Sequence, residues 1–232
     1  MTLCLKYGPS NQLLDYRFFN RTNKLLIKET FSILTNFSRV IPKGMVVFFP
    51  SYKLLDIYQK EWGAEKIGKK LLFTEPKLAI ECEKVLKSYE EECTNENKFG
   101  AVLLSVVGGK LAEGINFNDD LGRAVFIIGQ PYPDIKSPIL QEKLTFLKEN
   151  NDTSNYPDTL CWRAINQSIG RAIRHKNDYA TIILMDQRYC QGGIGGQGGT
   201  KNLPDWIKSN VVVEEKFGGS FGRVKEFFKN IG

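Results

Sequence analysis

The chain of 232 residues lacks most of the features that mark common chemistries. No apolar run approaches the roughly 18 residues of a membrane-spanning helix. The first ten residues have no apolar h-region of a signal peptide. The 21 glycines follow no triplet period, which excludes a collagen-like chain. Five cysteines (Cys4, Cys82, Cys93, Cys161, Cys190) are scattered, odd in number and never spaced as a CxxC pair. That argues against structural zinc and a disulfide framework, and for a reducing compartment. The single histidine, His175, has no partners for a metal. A Ser-His-Asp triad would have to use it, yet no G-x-S-x-G elbow exists, so a local polar contact is its expected role. There is no G-x-x-x-x-G-K-[ST] phosphate loop, and no Asp-Glu pair follows an apolar strand to hold magnesium. A small-molecule hydrolase or transferase finds neither a nucleophile nor a pair of general acids here.

What is present suffices for a folded core. Apolar residues make up 42% of the chain and charged residues 25%. Lysine and arginine exceed aspartate and glutamate by 32 to 26, a net charge of +6. The excess is uneven. Residues 1–43 carry Lys6, Arg17, Arg21, Lys24, Lys28, Arg39 and Lys43 against Asp15 and Glu29; residues 81–96 are acidic; residues 167–176 carry Arg171, Arg174 and Lys176 with no acid. A polyanion partner fits this pattern, although many basic proteins bind none.

Helix and strand signals alternate. Helices are predicted over 23–37, where Leu26, Phe31, Leu34 and Phe37 fall near helical spacing, and over 52–62, ending at Gly63. Others are predicted over 76–92 and 137–149, each with an early proline, over 158–174 with Asp158 as cap, and over 203–209 and 220–229. Short apolar runs at 45–49, 70–73, 101–107, 124–128, 180–185 and 211–213 read as strands. Apolar strands alternating with helices imply one α/β domain, a mainly parallel sheet with helices on both faces. The domain takes in the whole chain, 1–232, with a basic lead-in at 1–43. Residues 191–199 hold six glycines in nine positions and read as a flexible surface loop, with 191–200 its extent. No Lys-Ser/Thr follows them, as a phosphate loop would need.

The sharpest motif is QSIGRAIR at 167–174. On one helix, Gln167, Gly170, Arg171 and Arg174 would share a face. Two guanidiniums, an amide and a bare glycine suit a triphosphate: the guanidinium fork matches phosphate oxygens and the amide can orient a water. A solvated basic face is the plainer alternative. A second motif, SVVGGKLAEGINF at 105–117, begins where a strand ends, the place where parallel sheets bind ligands. It offers free backbone N–H groups, the Ser105 hydroxyl and Lys110 to a phosphate, or else is only a tight turn. Ser51, after Phe48, Phe49 and Pro50, can cap a helix whose N-terminus attracts phosphate. Phe48 and Phe49 read as core residues rather than base-stacking platforms. Tyr132 stands in a stiff loop and either packs or stacks on a base.

Together these segments resemble the second RecA-like motor domain of the XPD-like superfamily 2 DNA helicases, most nearly the ChlR-type chromosome-loss helicases of sister-chromatid cohesion. Val47–Tyr52, 101–117 with LGRA at 121–124, 129–133 with 137–144, 164–175, 184–189 and 203–207 carry the resemblance, across nearly the whole chain. It implies an ATP-dependent motor moving 5′ to 3′ on single-stranded DNA in the nucleus, with ATP and Mg2+ in a cleft between two RecA-like domains. By resemblance, Gln167, Arg171 and Arg174 face the γ-phosphate, with Arg174 as arginine finger. Glu113, Gly114 and Asn116 approach the nucleotide or couple it to DNA, Gly170 stands on the nucleotide side, and Ser51, Ser105 and Lys110 are the candidates for the DNA backbone. Asp186 and Arg188 brace the 164–175 motif through ion pairs. Asn116 departs from the aspartate of many XPD-like motors; its amide can still bond a ribose hydroxyl. The Walker motifs and the four-cysteine iron–sulfur cluster of the family belong to a first motor half, which this sequence does not contain. On this reading the chain alone has negligible ATPase. The other expectation is a non-catalytic nucleic-acid-binding or interaction module from a truncated or split helicase gene.

Overall fold

The computed structural model describes residues 1–111, 116–150, 155–171, 178–191 and 200–231. One eight-stranded sheet organises them. Its strands are β1 (Thr2–Leu5), β2 (Met45–Phe49), β3 (Lys66–Ile67), β4 (Lys70–Thr74), β5 (Ala101–Val106), β6 (Ala124–Ile128), β7 (Thr181–Met185) and β8 (Val211–Glu214). Across the sheet the order is β3-β4-β5-β2-β6-β7-β1-β8. Every neighbouring pair is parallel except β3 with β4. The helices are α1 (Lys24–Phe37), α2 (Tyr52–Trp62), α3 (Ala79–Thr94), α4 (Pro138–Glu149), α5 (Tyr156–Ile169), α6 (Asp205–Lys208) and α7 (Phe217–Ile231). The α/β architecture with a mainly parallel sheet is as the alternating pattern predicts.

Period-two alternation sends successive strand residues to opposite faces. Val47, Phe49, Leu104, Phe126 and Met185 pack against α1, α2 and Val224 of α7. Val46, Phe48, Leu103, Ile127 and Leu184 pack against Tyr89 and Cys93 of α3 and Trp162, Ile165 and Ile169 of α5. Phe48 and Phe49 are both fully buried, one on each face, so they are core and no stacking platform.

Several boundaries differ from expectation, each for a local reason. The helix predicted from residue 76 starts at Ala79. Glu75 prolongs the β4 ladder by donating its N–H to the Leu104 carbonyl (2.8 Å), and its side chain turns inward, so Pro76 lies in a link outside the helix. The helix predicted over 158–174 runs instead from Tyr156 to Ile169. Asn155, not Asp158, is its cap, accepting the Asp158 N–H, while Asp158 accepts from the Tyr132 hydroxyl. At its far end Gly170 bonds back to Asn166, and the Arg171 N–H reaches Ser168, a tightening that closes the helix. Inside the basic lead-in, residues 2–5 form β1, a strand hydrogen-bonded between β7 and β8. The glycine-rich stretch 192–199 lies outside the described residues.

Chain order places the ligand-bearing edge. From β2 the chain passes outward to β4, returns to insert β5 between them, then crosses β2 to form β6. The carboxyl ends of β2 and β5 therefore lie beside a topological switch, where open α/β sheets bind ligands.

Candidate functional site

Two groups of candidate residues occupy two different edges of the sheet. At the carboxyl ends of β2, β4 and β5 stand Ser51, Tyr52, Glu75, Ser105 and Lys110. Ser51 begins α2 with extended backbone, and its Oγ accepts the Leu54 N–H at 3.3 Å, the capping expected from the sequence. Lys110 is exposed, and its ammonium donates to the Lys77 carbonyl. Ser105 is fully buried and donates its hydroxyl to Glu75 Oε2 at 2.5 Å. It therefore anchors an internal carboxylate and shows no face to a DNA backbone in this structure.

Glu75 has no counterpart among the expected residues. It is 3% exposed. Its carboxylate accepts from the Tyr52 hydroxyl, Ser105 Oγ, the Val106 N–H (2.9 Å) and the Leu111 N–H (3.4 Å). Two of the backbone donors read from the sequence as free for a phosphate are thus occupied from within. Burial first, and then the bond to Glu75, pushes the Tyr52 phenol up to about 12.

The second group lies at the far end of α5. The first turn of α5 is held beside the carboxyl edge by Tyr132, just past β6, which donates to Asp158. A helix of 14 residues is ~21 Å long at 1.5 Å per residue, so its last turn reaches the opposite, amino edge. Gln167 is exposed there, with Gly170 and Arg171 half-buried beyond it. Within the described part of the motif, α5 stops at Ile169 and Arg171 sits past the Gly170 cap. The Arg171 carbonyl accepts the Phe117 N–H at 2.8 Å, which brings exposed Asn116 alongside. Glu113, Gly114, Arg174 and His175 lie outside the described residues.

A buried ionic clasp underlies this second group. The Arg123 side chain is 8% exposed and that of Asp178 1%. Arg123 donates to Asp178 Oδ1 and to the Tyr179 carbonyl at 3.1 Å, and to Asp120 Oδ1 at 2.9 Å. Its guanidinium also lies 3.9 Å over the Tyr179 ring. Asp178 further accepts the Asp119 N–H at 3.4 Å. The clasp binds the segment before β6 to the segment before β7. A sequence signal existed: one arginine and one aspartate stand just ahead of two apolar runs. Only the pairing of those strands makes them neighbours, Ala124 facing Thr181.

Asp186 and Arg188 do form an ion pair, with Nη2 to Oδ2 at 2.7 Å and Asp186 fully buried. The end of the motif it was expected to brace, from residue 172 on, lies outside the described residues. Asp186 also accepts the Tyr16 N–H, and Tyr189 donates to the Gly129 carbonyl, so the pair fastens the 14–16 segment and the β6 end to β7. Among the described residues no cluster of three or more His, Cys, Asp or Glu is arranged to hold a metal ion. Nor is any described helix long and apolar enough to cross a membrane.

The family model for the helicase C-terminal domain matches residues 34–210. The ATP-dependent DNA helicase DDX11 of Mus musculus is 42% identical, over 99% of this chain and 27% of its own length. The ATP-dependent DNA helicase CHL1 of Debaryomyces hansenii is 37% identical, over 93% of this chain and 28% of its own length. The chain thus spans about a quarter of the length of these relatives. Among solved structures, an XPD structure in its apo form aligns with 92% of this chain and 39% of its own, at 22% identity and a TM-score of 0.61. That likeness is one of fold.

Proposed function

The chain belongs to the helicase C-terminal domain family, and from that membership we propose that it is the second motor domain of an ATP-dependent DNA helicase of the DDX11/CHL1 type. It works in the nucleus on single-stranded DNA, moving 5′ to 3′, and serves sister-chromatid cohesion. The observation that carries the reading is the hydrogen bond from Phe117 to the Arg171 carbonyl. It holds the arginine-bearing end of α5 against a segment whose other end is the Lys110 turn.

In this reading Arg171 and Arg174 offer their charge to a γ-phosphate held by another RecA-like domain, and Arg174 is the arginine finger. A guanidinium keeps its charge at any working pH and pairs with phosphate oxygens through two parallel bonds. Gln167, exposed on the last turn of α5, orients the attacking water. Asn116 meets the ribose, and Glu113, Gly114 and Gly170 line the nucleotide's approach. The magnesium, the β-phosphate cradle and the iron–sulfur cluster belong to the partner half of the motor. At the other edge, Ser51 and Lys110 grip the DNA backbone, while Ser105 works indirectly through Glu75. Pairing across the cleft closes it and moves one DNA grip relative to the other.

The test joins this chain to a first RecA-like motor domain. An arginine finger contributes about 10³–10⁵ in rate, so Arg174→Ala there lowers DNA-stimulated ATPase by at least ~10³ while the melting curve stays in place. Wild-type turnover from that variant refutes the assignment. Strong DNA-stimulated hydrolysis by the 232 residues alone contradicts the shared cleft.

A further inference from the structure

The carboxylate of Glu75 sits where a ligand anion would be expected, at the end of β5 inside a turn of backbone donors. A carboxylate has about four lone-pair sites. Here Tyr52 and the Leu111 N–H point at Oε1, and Ser105 and the Val106 N–H at Oε2. The approach is close: a Cβ on Gly109 would lie 2.4 Å from Oε1, so the turn admits the carboxylate only because residue 109 is glycine. Three elements converge on one side chain. Tyr52 belongs to the first turn of α2, Glu75 follows β4, and Val106 ends β5 with residues 107–111 after it. The Lys110 N–H closes the circuit onto the Tyr52 hydroxyl at 3.5 Å, and its ammonium returns to the Lys77 carbonyl.

We propose that Glu75 is a positioning residue: it fastens the 107–110 turn to the head of α2, and so sets Lys110 beside Ser51 for a nucleic-acid phosphate. This rests on the reading that this edge meets DNA. Electrostatics alone would argue against the arrangement, because a buried carboxylate beneath a phosphate site repels the phosphate. The opposition of sign makes the proposal testable. Glu75→Gln is nearly isosteric and removes the negative charge. If charge were all that mattered, DNA would bind more tightly. If position matters, the amide nitrogen faces donors it cannot accept from, the turn loosens and DNA binds more weakly.

The experiment uses the 232-residue chain and a fluorescent oligo-dT in low salt. Glu75→Gln weakens binding by about 3–10-fold, the loss expected when one or two buried donors lose their acceptor. Glu75→Gln with Lys110→Ala binds no more weakly than Lys110→Ala alone, because the first acts through the second. Hydrogen exchange of the Val106 and Leu111 amides rises about tenfold in Glu75→Gln, while the β2 amides keep their protection. Gly109→Ala, which displaces the carboxylate and keeps its charge, reproduces both effects and serves if Glu75→Gln fails to fold. Tighter or unchanged binding overturns the proposal, as do additive losses in the double variant or unchanged exchange. If Lys110→Ala binds oligo-dT like the wild type, the nucleic-acid reading of this edge falls instead, and the exchange measurement still decides whether Glu75 holds the turn.

Discussion

Replacing Arg123 by alanine should be among the most damaging single changes to the amino edge. The guanidinium bonds Asp178, Asp120 and the Tyr179 carbonyl and stacks on the Tyr179 ring. Its loss leaves the Asp178 carboxylate, 1% exposed, with the Tyr179 N–H at 2.8 Å and the Asp119 N–H at 3.4 Å among the described residues. Two neutral donors do not replace a cation in a site from which water is excluded. Breaking a buried pair by removing one partner costs about 3–5 kcal/mol. For a chain of this size each kcal/mol lowers the melting temperature by about 2–4 °C, so Arg123→Ala should melt roughly 6–20 °C below wild type. Asp178→Ala should cost less, because Arg123 keeps the half-exposed Asp120 and the Tyr179 carbonyl. The double variant should cost less than the sum of the two by about 0.5–3 kcal/mol, since removing both ends leaves no orphaned charge. Urea unfolding followed by circular dichroism measures all three. An Arg123→Ala loss below about 1 kcal/mol would place the pair among surface ion pairs, which contribute that little. It would refute the claim that this clasp secures the loops ahead of β6 and β7.

Two further outcomes follow from one buried group and one at the surface. Lys70 is fully buried and donates to the Lys43 and Phe99 carbonyls at 2.5 and 2.7 Å. Burial lowers its pKa from 10.5 to about 8, so between those values the unfolded chain holds the extra proton and Lys70's contribution to stability rises with pH. The stability of wild type relative to Lys70→Met should therefore climb by about 3 kcal/mol between pH 7.5 and 10.5, since each tenfold difference in proton affinity between the two states is worth ~1.4 kcal/mol. The Cys161 thiol, whose pKa burial raises, pulls the other way in both proteins and cancels in the difference, whereas Cys93 faces Lys70 and is replaced by serine in both proteins for this measurement. A difference flat across that range counts against the lowered pKa, since folded Lys70 would then keep its proton as long as the unfolded chain does. Ser51→Asp keeps a side-chain cap for the Leu54 N–H, so stability should stay within about 0.5 kcal/mol of wild type, while oligo-dT binding falls by like-charge repulsion. Unchanged binding would remove Ser51 from the DNA surface.

How much of this was legible in the residues depended on the range of the interaction. β2, α2 and β6 match their expected limits because each carries its own evidence: unbroken apolar runs, or a serine cap followed by a glycine stop at Gly63. β1 was not legible. Four residues, TLCL, earn their place in the sheet from β7 and β8, which lie more than 170 residues further along the chain. The end of α5 was misread because Ala172 and Ile173 continue a helical pattern past Gly170, whereas the Phe117 N–H bonds to the Arg171 carbonyl. The sequence likewise suggested a vacant anion turn at residues 105–110. It could not show that Glu75, some 30 residues earlier, fills that turn, because the parallel pairing of β4 with β5 alone brings them together.

The separation of the two candidate groups constrains how any coupling can work. β5 is hydrogen-bonded on both sides, to β2 and β4, so it cannot slide without breaking two ladders. What joins the Lys110 turn at one edge to Arg171 at the other is the chain from 107 to 121, fastened near its start by Glu75 and near its end by Phe117, Tyr89 and the Arg123 clasp. The Tyr89 hydroxyl donates to the Leu121 carbonyl at 2.6 Å, which ties that end to α3 as well. A rigid sheet passes strain along the connectors tethered between its edges rather than through the strands, because packed cores resist continuous deformation. In the proposed motor, a pull on Arg171 from the phosphate side is felt by Phe117 through its bond to the Arg171 carbonyl, and by α5 directly. Loosening either anchor should uncouple hydrolysis from movement before it abolishes either one.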